Sequence, residues 1–238
     1  MNAAIITTLN EAATIGELVD TLRREGYCVY VVDDQSTDAT RERAAQAGAH
    51  VLLDANGTRQ GIAPCLCHGW QRALADGATT LLQIDAGGSH DPAQARRLTA
   101  RLDEADLVVG SRFCRGAAYL GGTTRRRWLS RTAAVVCSAT QGAWVSDWSS
   151  GYRALTAQAA RQLLVPRYYA RMHGWQLEVL AHAHALGLRV VEEPIVYRAG
   201  RSSFSVGVAN EAFRVWLDIM HHIPPKAKAV NVSGQKVM

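Results

Sequence analysis

Short apolar runs, each followed by acids or glycines and then an amphipathic stretch, fill the first 110 residues and fix what this chain can fold into. Residues 3–8 are the first run, followed by "LNEAAT" and an amphipathic stretch to Arg24. Residues 28–32 are the second, running into "DDQSTDAT" and a helical stretch to Gly48. Further strands read at 50–53, 79–84 and 106–109, with helices at 61–75 and 92–102 between them. Strands alternating with helices in this way are βαβ units and require a parallel sheet. Open sheets of this kind bind ligands beyond the carboxyl ends of their strands. That edge is where this chain gathers its acids and glycines.

Beyond Gly110 the alternation breaks. An arginine-rich loop at 112–127 leads into a helix near 129–142, then "DWSSGYR" at 147–153. A helix at 175–186, a strand at 189–191 and an amphipathic stretch at 209–222 follow. No internal repeat or linker interrupts the chain. It reads as one domain over 1–222, with halves at 1–110 and 111–222, and a polar tail at 223–238.

Hydrophobic residues make up 48% and charged residues 20%, enough to bury a real core, so disorder is excluded. The net charge of +5 is carried by arginine, since the only lysines are Lys226, Lys228 and Lys236. Guanidinium forks suit phosphates, so this balance points to a nucleotide, phospholipid or nucleic-acid partner. Five cysteines without disulfide or zinc spacing fit a reducing cytosol. No apolar run approaches the roughly 18 residues of a membrane span, and no signal-peptide pattern opens the sequence. The expectation is a cytoplasmic protein, with peripheral contact to a membrane open to it.

Asp33 and Asp34 in "VVDDQSTDAT" stand where a parallel strand ends. Carboxylates there can accept from a nucleobase N–H or a ribose hydroxyl, while Ser36, Thr37 and Asp38 can cap the next helix. "NGTRQGIA" at 56–63 is a glycine-punctuated loop entering a helix, able to turn backbone N–H groups toward a phosphate or simply to connect. "LLQIDAGGSH" at 81–90 is a buried strand that stops at Asp85.

Taken in order, "TTLNEAATIGELV", "VVDDQSTDAT", "GTRQGIAPCLCHGWQRA", "QIDAGGSHDP", "DLVVGSRF", "DWSSGYRAL", "GWQLEVLAHAHALGLRVVEEPIVYRAG" and "RSS" are similar to one family. The chain resembles the family 2 glycosyltransferases of GT-A fold over residues 3–205, and among them the dolichol-phosphate mannose (polyprenol-phosphate sugar) synthases. The resemblance implies an α/β domain with a mostly parallel, Rossmann-like sheet flanked by helices. It implies inverting transfer of a hexose from a UDP- or GDP-sugar to a polyprenyl-phosphate-type acceptor. It places Thr8, Glu11, Asp33 and Asp34 at the base and ribose, and Asp85 at the ribose, diphosphate and metal. Gly61, Ala86, Gly87 and Arg112 complete the implied donor contacts.

The chain departs from the family at its acid pair, D-x-D, because the second acid is Gly87 and the Gln two residues later is Ser89. Asp85, diphosphate oxygens and waters then make a weakened Mg²⁺ or Mn²⁺ site. Alternatively Arg112, Arg126, Arg127, Arg153 or Arg201 take over part of the ion's role.

On the acceptor side, "TTRRRWLSR" at 123–131 is the densest positive patch, open to a lipid phosphate, a DNA backbone or the sugar-nucleotide diphosphate, or a solvated helix start, with Arg126, Arg127 and Ser130 as its expected acceptor residues. Arg153, Glu178 and Arg201 are the other expected acceptor residues, with Glu178 orienting the acceptor. Asp147 is either a general base or a cap for the turn after it; only a hydroxyl acceptor needs the base. Trp144, Trp148 and Trp175 read as core. Phe213, Trp216, Leu217 and Met220 share one side of the 209–222 stretch, which can rest on a membrane or pack inward. Two rival functions remain: transfer to a hydroxyl of a protein, a small molecule or a modified DNA base, and silent nucleotide binding.

Overall fold

The computed structural model describes residues 1–53, 57–200, 206–223 and Pro225, leaving out the side chains of 125, 126 and 206–212. Its main sheet begins with β1 (Asn2–Thr8), β2 (Cys28–Asp33) and β3 (His50–Leu53), paired in parallel. β4 (Thr80–Asp85) pairs in parallel with the other side of β1, with Thr7 opposite Asp85. β5 (Leu107–Ser111) runs parallel to β8 (Val190–Pro194). Between β4 and β5 lies β7 (Arg153–Thr156), antiparallel to both. The resulting order is β3-β2-β1-β4-β7-β5-β8. A separate parallel ribbon joins β6 (Ala118–Leu120) to β9 (Val196–Arg198).

Both faces of the sheet are buried, which explains the continuous apolar runs. Ile5 and Ile6 are both fully enclosed, in different cores, as the two-residue period of a strand demands. One core holds α1 (Ile15–Arg24), α2 (Thr40–Gln46) and α4 (Ala95–Ala100). The other holds α3 (Ile62–Ala75), α5 (Thr124–Gln141), α6 (Ala157–Leu163), α7 (Trp175–Ala185) and α8 (Val206–His222).

The α/β architecture with a mostly parallel sheet agrees with the sequence reading. Four elements do not. β7 and β9 fall in stretches read only as motifs, α6 fills a stretch left unassigned, and β6 lies inside the presumed arginine loop. α5 begins at Thr124, so Arg125, Arg126 and Arg127 belong to its first turn rather than to a loop. All five cysteines are free. Trp148 and Trp175 are core, whereas Trp144 is 76% exposed. Among the described residues, no helix is long and apolar enough to cross a membrane. The tail beyond Pro225 lies outside the described residues.

Candidate active site

The strand order reverses between β1 and β4, because β2 and β3 lie on one side of β1 and β4 on the other. A crevice opens at the carboxyl ends of strands at such a switch point. Asp85 closes β4 at that edge, with its side chain 54% exposed. A Cβ on Gly151 would lie 2.6 Å from Oδ1 of Asp85, so only glycine leaves the carboxylate its place. Oδ2 faces Nδ1 of His90 at 3.5 Å. His90 is buried between the rings of Tyr152 and Tyr197, and its Nδ1 has no hydrogen-bond partner. Burial pushes the imidazole below its usual pKa, against the pull of Asp85. Gly87 and Gly88 are exposed beside it.

Glu11, half-buried in the loop after β1, faces the same edge. Its Oε2 accepts from Thr14 Oγ1 at 3.4 Å, and its Oε1 lies 3.6 Å from where a Cβ of residue 87 would stand. Burial raises its pKa, the Thr14 hydroxyl lowers it, and Asp38 and Asp85 raise it again.

Asp33 and Asp34, at the end of β2, are held by groups of the protein itself. Asp33 is fully buried and accepts from the Ser36 backbone N–H at 2.9 Å and the Thr8 hydroxyl at 3.2 Å. Neither Asp33 nor Thr8, itself 3% exposed, has a face left for a base or ribose. Asp34 accepts from the backbone N–H groups of Gln60 at 2.7 Å and Gly61 at 3.1 Å. Those amides of the glycine loop therefore hold a carboxylate of the protein, which favours the second of the two sequence readings, an ordinary connecting loop, over a phosphate cradle. Gly61 is buried at φ 91°, with Arg171 O 2.7 Å from its would-be Cβ. Ala86, buried in the turn after Asp85, offers no exposed side chain.

Asp147 is the largest correction. It is fully buried, and Arg112 grips it with Nε on Oδ2 at 2.7 Å and Nη2 on Oδ1 at 2.6 Å. The Arg112 backbone N–H adds a bond to Oδ2 at 2.9 Å. Burial would raise the pKa of Asp147, but the charge and hydrogen bonds of Arg112 outweigh it and hold the carboxyl below its usual range. Such a carboxylate is neither exposed nor free to act as a general base. Arg112, 8% exposed, is likewise committed to Asp147 and to Ser149 Oγ at 2.6 Å, rather than to a diphosphate. Arg153 is fully buried in β7 and donates to the carbonyls of Ser150, Trp148 and Gln176, so it cannot meet an acceptor. Glu178 is also fully enclosed. Its carboxylate accepts from the backbone N–H of Tyr169 at 3.1 Å and of Ala170 at 3.0 Å, anchoring the loop before α7 instead of orienting an acceptor.

A row of rings connects Asp85 to α5. His90 touches Tyr197, Tyr197 touches Tyr119, and Tyr119 stacks on Phe113 at 6.0 Å. The exposed Arg127 lies 5.2 Å over Tyr119, and Arg131 lies 5.9 Å over Phe113. Ser130 is half-buried between them on α5. The side chain of Arg126 and all of Arg201 lie outside the described residues. Gly151 is the site residue that the sequence reading passed over, and His90 is one that it noted beside the Asp85 loop without giving it a role. Their signals were a histidine directly after the glycine loop and a glycine two residues before a strand.

Among the described residues, no three His, Cys, Asp or Glu side chains form a ready-made metal cage. The donor chemistry still fits a hard divalent ion. Asp85 offers exposed carboxylate oxygens in a gap that a Cβ at 151 would fill, beside the orphaned Nδ1 of His90.

Comparison with known proteins gives a consistent picture. The model of glycosyl transferase family 2 matches residues 3–164. The undecaprenyl-phosphate mannosyltransferase of Micrococcus luteus is 33% identical over 220 residues, 87% of this chain and 89% of that one. The polyprenol monophosphomannose synthase of Mycolicibacterium smegmatis is 29% identical over 81% of this chain and 76% of its own length. Among solved structures, the glucosyl-3-phosphoglycerate synthase of Mycobacterium tuberculosis with Mn²⁺, UDP-glucose and phosphoglyceric acid superposes with a TM-score of 0.73. It is 20% identical, over 95% of this chain and 81% of that one, a likeness of fold.

Proposed function

This chain belongs to glycosyl transferase family 2, and we propose that it moves a hexose from a UDP- or GDP-sugar to a polyprenyl phosphate, inverting the anomeric carbon. An acceptor phosphate oxygen attacks that carbon from the face opposite the nucleoside diphosphate. The new C–O bond forms as the bond to the diphosphate breaks. Asp85 faces the ribose and diphosphate and would hold the divalent ion. A bound Mg²⁺ or Mn²⁺ would offset the charge that grows on the leaving diphosphate. The first turn of α5 takes the acceptor phosphate through its guanidinium groups.

The observation that carries the choice of acceptor is the sealing of Asp147 by Arg112. A hydroxyl acceptor needs a base to take its proton, and a phosphate is already anionic. The acid that the sequence offered for that task is inaccessible. The similarity to two polyprenyl-phosphate mannosyltransferases supports the same choice.

A polyprenyl tail resides in a bilayer, so the enzyme works at a membrane surface. Trp128 and Val135 on α5, and Phe213 and Met220 on α8, are exposed, and the two helices meet where Trp216 Nε1 donates to Thr140 Oγ1 at 3.4 Å. Trp216 is thus half-buried against α5, and the outward apolar side of α8 is Phe213, Leu217 and Met220.

The test is a panel of UDP- and GDP-sugars offered with undecaprenyl phosphate in detergent or with soluble hydroxyl acceptors. Formation of a sugar–phospholipid is the expected result. Transfer confined to a soluble hydroxyl would overturn the proposal.

A further inference from the structure

We propose that Glu11 supplies the second carboxylate of the divalent-cation site, reaching from the β1 loop into the space that Gly87 leaves open. The proposal rests on the reading of Asp85 as the residue of the diphosphate and its ion. The family resemblance implies Glu11 at the base and ribose and leaves the ion with one acid.

The geometry is specific. Oε1 of Glu11 lies 3.6 Å from the Cβ position of residue 87, so the carboxylate is in contact with the point where a side chain at 87 would begin. Thr14 holds Oε2 at 3.4 Å, and no described residue donates a hydrogen bond to Oε1. β1 and β4 are neighbours with Thr7 opposite Asp85, so both acids leave the sheet at the same switch point. A second observation comes from below. Nδ1 of His90, on a side chain only 2% exposed, has no hydrogen-bond partner and points at Asp85 Oδ2 from 3.5 Å. Carboxylates that hold metals are commonly steadied by such a neighbour. Asp85 at the end of β4 and Glu11 in the loop after the neighbouring β1, with diphosphate oxygens and water, give the all-oxygen shell that Mg²⁺ and Mn²⁺ prefer. An acid pair drawn from one strand end and a neighbouring loop thus replaces the pair drawn from a single loop.

The experiment measures Mn²⁺ binding to the full chain without nucleotide, by loss of the free-ion EPR signal. Nucleotide binding is measured separately, with UDP and with GDP in EDTA. Glu11→Gln should weaken Mn²⁺ by about tenfold or more. Its metal-free melting temperature and its nucleotide affinity in EDTA should stay unchanged. Gly87→Asp, added to Glu11→Gln, should restore Mn²⁺ affinity. Glu11→Gln binding Mn²⁺ as wild type does, while Asp85→Asn does not, would overturn the role of Glu11 alone. Loss of UDP or GDP affinity in EDTA with Mn²⁺ binding intact would overturn it in favour of a ribose contact. Mn²⁺ binding that survives Asp85→Asn, or is missing from the wild type at millimolar ion, would bring down the reading of Asp85 and this proposal with it.

Discussion

Gly151 has no side chain because the carboxylate of Asp85 occupies the space one would need, with Oδ1 2.6 Å and Oδ2 2.8 Å from the would-be Cβ. The backbone at 151 lies outside the left-handed region, so alanine is permitted there and its cost falls on Asp85. Gly151→Ala should therefore keep a near-normal melting temperature while turnover falls by about a hundredfold, as should Asp85→Ala. Steady-state rates beside a thermal melt decide it. Normal rates in both variants would remove Asp85 from the chemistry.

Asp147→Asn should unfold the protein more readily instead of yielding a stable enzyme short of a base. It leaves the Arg112 guanidinium buried without its counter-charge, a loss of about 3–5 kcal/mol. The folded pKa of Asp147 is depressed, so its contribution is complete above the unfolded value of about 3.9. It fades as pH falls toward the lower folded value. Urea midpoints of wild type and variant should differ widely at neutral pH and converge on acidification. A fully stable but inactive Asp147→Asn would restore the general-base reading.

Glu178→Gln turns one of the oxygens facing the Tyr169 and Ala170 amides into a donor. A buried N–H left without an acceptor costs about 1–3 kcal/mol. Denaturant titration should show that loss, with the acceptor KM little changed well below the melting temperature. A raised KM at unaltered stability would return Glu178 to the acceptor site.

Arg126→Ala and Arg127→Ala should raise the polyprenyl-phosphate KM roughly tenfold or more, the scale of a hydrogen bond to a charged group. Affinity for the nucleotide sugar should hold, since these residues sit in the first turn of α5 and not at the Asp85 edge. Isothermal titration with the donor and kinetics with the acceptor separate the two.

Phe213→Glu combined with Leu217→Glu should loosen the protein from vesicles carrying anionic lipid. Each burial of such a side chain in lipid is worth roughly 1.5–3 kcal/mol. Both residues are exposed on α8, so the fold should survive. Co-sedimentation indistinguishable from wild type would mean that α8 faces water.

Sequence showed what a strand end shows: Asp85 closes an apolar run, and the alternation of periods demands a parallel sheet. It did not show which way the carboxylates turn. Asp33 and Asp34 end a strand just as Asp85 does, yet their oxygens hold neighbouring backbone amides. Glu178 deceived for a different reason. A charged residue on a helix normally marks the wet face, but α7 is enclosed along nearly its whole length and has no wet face to mark. β7 was unreadable because "RALT" opens on an arginine and gains its strand character from partners on both sides.

The antiparallel strand β7 has a consequence for how the polypeptide is born. β4 is complete at residue 85, but its outer edge stays unpaired until residue 156 has left the ribosome. β5 and β8 cannot join the sheet before then, because β7 is their bridge to it. For the seconds this takes, nascent chains carry an open apolar edge with Leu81 and Leu82, the kind that pairs with its own copies. Cutting the gene after residue 110 would make that exposure permanent. The segment 1–110 is thus no free-standing module, and the covering of its open edge is supplied by four residues encoded much later.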